Sequence, residues 1–184
     1  MSTIRIQASD EATRMGLALA RKAGEAYQEM LRYFVDHVAH AGRVVESDDY
    51  LVALAVEKAE PLWYPSGGGL ELHDPPAKAN QHIEVVVCDR ADGRFLPQLE
   101  VTVTLLKDGK ETGTWDLPFL WHPTMYHYGR NVEVIDGGPH AARVSIGMPG
   151  FPRHDKVNGR RYTKAVVVDI DGIDLKPARE DVDG

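Results

Sequence analysis

The chain has 184 residues, 43% hydrophobic and 27% charged, which are values of a globular protein long enough to bury a real core. Its net charge of −7 and pI near 5.6 argue against nucleic acid or an anionic membrane as the main partner. One cysteine, Cys88, leaves no internal disulfide to form and fits a reducing compartment. The start "MSTIRIQASDEATRMG" has no basic region followed by an apolar run, and no stretch reaches the roughly 18–20 apolar residues that cross a bilayer. As written, the sequence reads as that of a cytoplasmic protein.

Ser9 is placed to cap a helix, with Asp10 and Glu11 in a first turn where the helix dipole favours them. Met15, Leu19, Ala23, Tyr27, Met30, Leu31, Phe34 and Val38 then recur at spacings of three and four. This amphipathic stripe predicts one helix ending near Gly42. A stripe of that length must lie against something, either the domain that follows or a second copy of the chain. From about residue 49 the period shortens to two. Strands are predicted at 50–59, 82–89, 99–106, 142–148 and 162–171, with shorter candidates at 111–117 and 131–135. Turn signals at 90–95 and 107–110, and the lack of helical spacers, predict a mainly β architecture. The expected fold is an immunoglobulin-like antiparallel β-sandwich of about seven strands with an N-terminal α-helix. Segments 64–69 and 73–80 make a long connection rich in glycine and proline. The division is a helical segment over 1–47, the sandwich over 48–176 and a flexible acidic tail over 177–184.

In the strand at 82–89, alternation puts Ile83, Val85 and Val87 on the core face. His82 and Glu84 then project together from the opposite face, about 6.5–7 Å apart along the strand. Imidazole nitrogen with carboxylate oxygen suits Zn, Cu, Fe or Mn, although an ordinary polar face gives the same pattern. Pro118 and Pro123 break regular structure around Trp121, so 117–129 reads as a long irregular turn carrying His122, Met125 and His127. A thioether beside imidazoles favours copper, particularly Cu(I); the bland reading has Met125 and the aromatics plugging the end of the sandwich. Asp36, His37 and His40 form a weaker group on the helix. Phosphate-cradling and serine-nucleophile motifs are absent from the sequence. Cys88 reads as a buried structural residue, and the basic stretch at 151–162 as a solvated hairpin.

Three segments, "NQHIEVVV", "RFLPQLEVTVTL" and "HYGRNVEV", occur in an order that resembles the periplasmic iron-transport accessory proteins. That family binds Fe²⁺ or Cu²⁺ on a β-sandwich and supplies an inner-membrane iron permease. The resemblance covers roughly residues 50–150 and leaves the helix outside. It matches His82 and Glu84, then Phe95 to Leu99, then His127, Tyr128, Gly129 and Asn131. The family's methionine and last histidine fall at Leu120 and near Gly147, which cannot bind metal; His122, Met125, His140 and Met148 lie nearby. The resemblance therefore implies a non-catalytic site for a copper or iron ion at His82, Glu84 and His127, completed by His122, Met125 or His140. It also implies a membrane iron permease as partner. The helix adds an expected homodimer or larger homo-oligomer, with a second subunit covering the His82–Glu84 face. Two rival readings remain: a metal-free β-sandwich module that assembles through its helix, and a small metalloenzyme with Glu84 as general base.

Overall fold

The computed structural model describes residues 5–176. Helix α1 (Arg14–Tyr33) continues into one π-helical turn, Phe34–Val38. Strands follow in order: β1 (Ala41–Ser47), β2 (Tyr50–Lys58), β3 (Leu62–Ser66), β4 (Gly69–His73), β5 (Gln81–Asp89) and β6 (Val101–Lys107). The remainder are β7 (Lys110–Leu117), β8 (Phe119–Trp121), β9 (Tyr126–Val132), β10 (Gly138–Ile146) and β11 (Val166–Leu175). Every strand pairing is antiparallel. A five-stranded sheet in the order β1-β2-β5-β9-β8 faces a four-stranded sheet β11-β10-β6-β7, while β3 and β4 form a separate ribbon. The expected mainly β sandwich with an N-terminal helix is therefore what the chain builds.

Between the sheets, Val52, Leu54 and Val56 of β2 and Ile83, Val85 and Val87 of β5 meet Val101, Val103 and Leu105 of β6. Val144, Ile146, Val168 and Ile170 complete that packing. The alternation predicted for β5 thus places the expected face inward. Its other face is buried too, and every residue of β5 is buried. Leu31, Phe34 and Met125 pack there on Ala53, Ala55, Val86 and Cys88. The chain's own helix, rather than a second subunit, covers this face. Alanines on β2 leave room for it, and Gly24 lets it touch the loop after β5. A Cβ on Gly24 would lie within van der Waals overlap of the Asp92 carbonyl, and Gln28 Nε2 donates to Gly93 O at 3.0 Å.

Several boundaries differ from the sequence expectation. Thr13, not Ser9, caps α1, its hydroxyl accepting from Gly16 N–H at 3.0 Å. Ser9 instead donates to Asp155 Oδ2 at 2.7 Å and pins the N-terminal arm to a distant loop. Of the stripe, Leu31 and Phe34 are buried and Tyr27 and Met30 partly so, while Met15, Leu19 and Val38 face outward. Residues 41–47, assigned to the helical segment, form an edge strand in register with β2. The glycine-rich connection at 64–69 folds as the β3–β4 ribbon. The stretch at 117–129 is not an irregular turn: it holds β8 and the start of β9, which replaces the strand expected at 131–135. The strand expected at 162–171 runs at Val166–Leu175, because Tyr162 is taken by the preceding loop. That loop, read as a solvated hairpin, is tied down where Arg161 and the Tyr162 hydroxyl both bond Asp89. The acidic tail at 177–184 lies outside the described residues.

Candidate metal centre

Strand register brings the predicted donors together. His82 lies opposite Asn131 and Glu84 opposite Gly129 across the β5–β9 pair. On the other side Glu84 faces Ala55 of β2. Alternation puts His127, Gly129 and Asn131 on the same face of β9 as His82 and Glu84 on β5. Flanked by alanine and glycine, Glu84 sits in a hollow that larger neighbours would fill. A Cβ on Gly129 would come within 2.9 Å of both His82 Nε2 and His127 Cδ2.

His82, Glu84 and His127 each offer a donor atom within 4.8 Å of the other two. Glu84 Oε1 is 3.7 Å from His82 Nε2 and 3.8 Å from His127 Nε2. Tetrahedral ligands at ordinary zinc-type bond lengths stand about 3.4 Å apart, so one ion fits with small adjustments. These separations are too long for hydrogen bonds. The three residues are 0%, 2% and 3% exposed, yet His82 Nε2, Glu84 Oε2 and both His127 nitrogens have no hydrogen-bond partner among the described residues. Each such orphaned group costs about 1–3 kcal/mol in a folded protein. A cation shared among them would satisfy donor atoms that the protein leaves bare, so the residues fit a bound metal.

Burial sets the charge of the site. It raises the Glu84 carboxyl to about 8, with Glu57 and Glu60 adding in the same direction. It lowers His127 to about 3, helped by His82 and His122, and it lowers His82 against the opposing hydrogen bond from Asn131. At neutral pH the metal-free site therefore holds a protonated acid and two neutral imidazoles. Binding a cation there requires the Glu84 proton to leave.

The other candidates fare differently. His122 is half-buried beside the cluster, its ring 6.3 Å from that of His127 and also 6.3 Å from Phe34. Its Nδ1 is engaged with the Thr124 hydroxyl at 3.0 Å. Met125 is buried in the apolar cluster under the helix. His140 lies on β10 in the opposite sheet, bonded to Gly138 O at 2.9 Å, and does not join the donor group. Leu120 stands opposite His127, Met148 is exposed, and His37 and His40 are exposed and outside the group. Sequence reasoning missed Asn131 and Gly129 as parts of the site. Reading 126–132 as a strand would have placed both on the His127 face.

No sequence-family model and no curated protein sequence matches the chain. Among solved structures it is similar to FetP of uropathogenic Escherichia coli strain F11, at 23% identity over 73% of this chain and 95% of that one, with a TM-score of 0.57. A copper-bound variant of the same FetP aligns at 20% identity, over 78% of this chain and 95% of that one, with a TM-score of 0.60. Copper-reconstituted P19 of Campylobacter jejuni aligns at 17% identity, over 76% and 96%, with a TM-score of 0.61. The chain thus has the β-sandwich fold of FetP and P19, the fold its three motifs pointed to.

Proposed function

We propose that the protein binds one transition-metal ion, copper or ferrous iron, through His82, Glu84 and His127, as a carrier without substrate turnover. The observation that supports this best is the convergence of three buried side chains, with His82 Nε2, Glu84 Oε2 and both His127 nitrogens lacking a partner among the described residues. Solved structures of the same fold are described as copper-bound, which agrees with the donor set. Two imidazoles and a carboxylate without a thioether suit a borderline divalent ion better than Cu(I), because Leu120 stands where the resembled family has methionine. Delivery of the ion to a membrane iron permease is the finer reading and rests on the three motifs alone. Self-association would use the exposed Met15 and Leu19 end of α1. Elemental analysis of untagged protein, beside the His82→Ala/His127→Ala double variant, tests the binding. About one ion per chain, lost in the variant, is the expected result. Equal emptiness of both after loading with Cu(II) and Fe(II) would sink it.

A further inference from the structure

Asn131 faces His82 across the β5–β9 pair, and its side-chain amide is held from behind by the backbone N–H and C=O of Glu60. Asn131 Nδ2 donates to Glu60 O at 2.8 Å, and Glu60 N–H donates to Asn131 Oδ1 at 3.2 Å. A backbone carbonyl can only accept and a backbone N–H can only donate, so these two contacts decide which end of the amide is oxygen. The flipped amide would set oxygen against oxygen and N–H against N–H. Oδ1 therefore faces His82 Nδ1, at 2.9 Å. An amide oxygen only accepts, so His82 Nδ1 carries the proton of that contact. A neutral imidazole has one N–H, which leaves Nε2 with a bare lone pair. Nε2 is the nitrogen aimed at Glu84. His127 differs, since neither of its nitrogens has a partner among the described residues.

We infer that Asn131, locked by the Glu60 backbone, is the positioning residue that holds His82 in its Nδ1–H tautomer and so presents Nε2 as a ready-made ligand. His82 is then the pre-set donor of the site, and His127 the one whose tautomer the bound ion selects. Glu60 stands just before β3, so the root of the exposed ribbon is wired to the metal ligand through one amide. The use made of this tautomer rests on the metal-binding reading above. The tautomer itself is a property of the metal-free chain, and the two can fail separately.

The test is a long-range proton–nitrogen correlation spectrum of the histidine rings in metal-free, ¹⁵N-labelled protein, with His82→Gln used to assign the His82 signals. Wild type should show a protonated Nδ1 and a bare Nε2. Asn131→Leu keeps the side-chain volume but offers no acceptor, so the preference should disappear. Asn131→Asp, which still accepts, should keep it. Competition titration with Cu(II) should then show affinity falling about 10–100-fold in Asn131→Leu, as for other outer-shell partners of metal-bound histidine, and much less in Asn131→Asp. A wild-type His82 protonated at Nε2 overturns the inference, and so does an Asn131→Leu spectrum with the tautomer unchanged. Should the leucine variant fail to fold, the wild-type spectrum still decides the tautomer, and loss of the Nδ1–H preference in Asn131→Asp, which keeps the acceptor, overturns the inference. A wild-type chain that takes up no Cu(II) or Fe(II) sinks the metal reading instead, while the nitrogen shifts continue to decide the role of Asn131.

Discussion

Replacing Glu84 by Gln removes one titrating proton from the middle of the sheet while keeping the side chain's size. In the metal-free chain this carboxyl holds its proton to about pH 8, against an ordinary value of 4.5 for an unburied glutamate. The folded value lies above the unfolded one, so its stabilising contribution is complete below 4.5 and is lost as pH rises through 8. His127 runs the other way. Its folded value of about 3 lies below the ordinary 6.5, so its contribution is present above 6.5 and is lost as pH falls through 3. His82 is lowered in the same direction and adds to the acid side. Above 6.5 the histidines are neutral in both states and Glu84 acts without them, so this group of residues is most stabilising near pH 6.5. One proton contributes about 1.4 kcal/mol per pH unit, so raising the pH from 6.5 to 8 removes about 2 kcal/mol. Urea unfolding in the presence of a chelator at those two pH values reads this directly. Wild type should lose about 2 kcal/mol more than Glu84→Gln, with other titrating groups common to both. Equal changes in the two proteins would refute the buried, protonated Glu84.

Three further outcomes follow from the packing. Gly129→Ala sets a Cβ 2.9 Å from His82 Nε2 and 3.1 Å from His127 Nε2, which should lower stability by about 1–3 kcal/mol and empty the site. Unfolding curves and metal content check it, and full metal occupancy would contradict it. Phe34→Ala removes the buried ring of the π-helical turn from the cluster over Ala53 and Ala55 and should cost about 3–5 kcal/mol in urea unfolding. A loss below about 1 kcal/mol would mean that the turn is not firmly docked. His140→Ala, in the opposite sheet, should leave metal stoichiometry unchanged by elemental analysis; loss of the ion would restore His140 as a ligand.

The period of two and the turn residues were enough to read a mainly β sandwich. Strand position and turn chemistry are local properties, so Ile83, Val85 and Val87 could be placed in the core and His82 with Glu84 on the reverse face from their spacing alone. The same locality explains the errors at Ser9 and at 41–47. Thr13 offers an equally good cap, and "AGRVVES" becomes a strand only because β2 lies beside it. Short, proline-flanked segments such as Phe119–Trp121 carry too few residues to show a period, so β8 and the true start of β9 were hidden. That shift concealed Gly129 and Asn131, although the sequence motif containing them was in view. Whether the His82–Glu84 face met solvent, a second subunit or the chain's own helix depended on a long-range docking, set by the small Ala53, Ala55 and Gly24 and the buried Leu31 and Phe34. Residue types along the chain thus determined which side chains could bind a metal. Only tertiary structure decided that three of them are buried, close enough to share one ion, and left with donor atoms that have no hydrogen-bond partner among the described residues, because burial and mutual distance come from strands and a helix that are far apart in sequence.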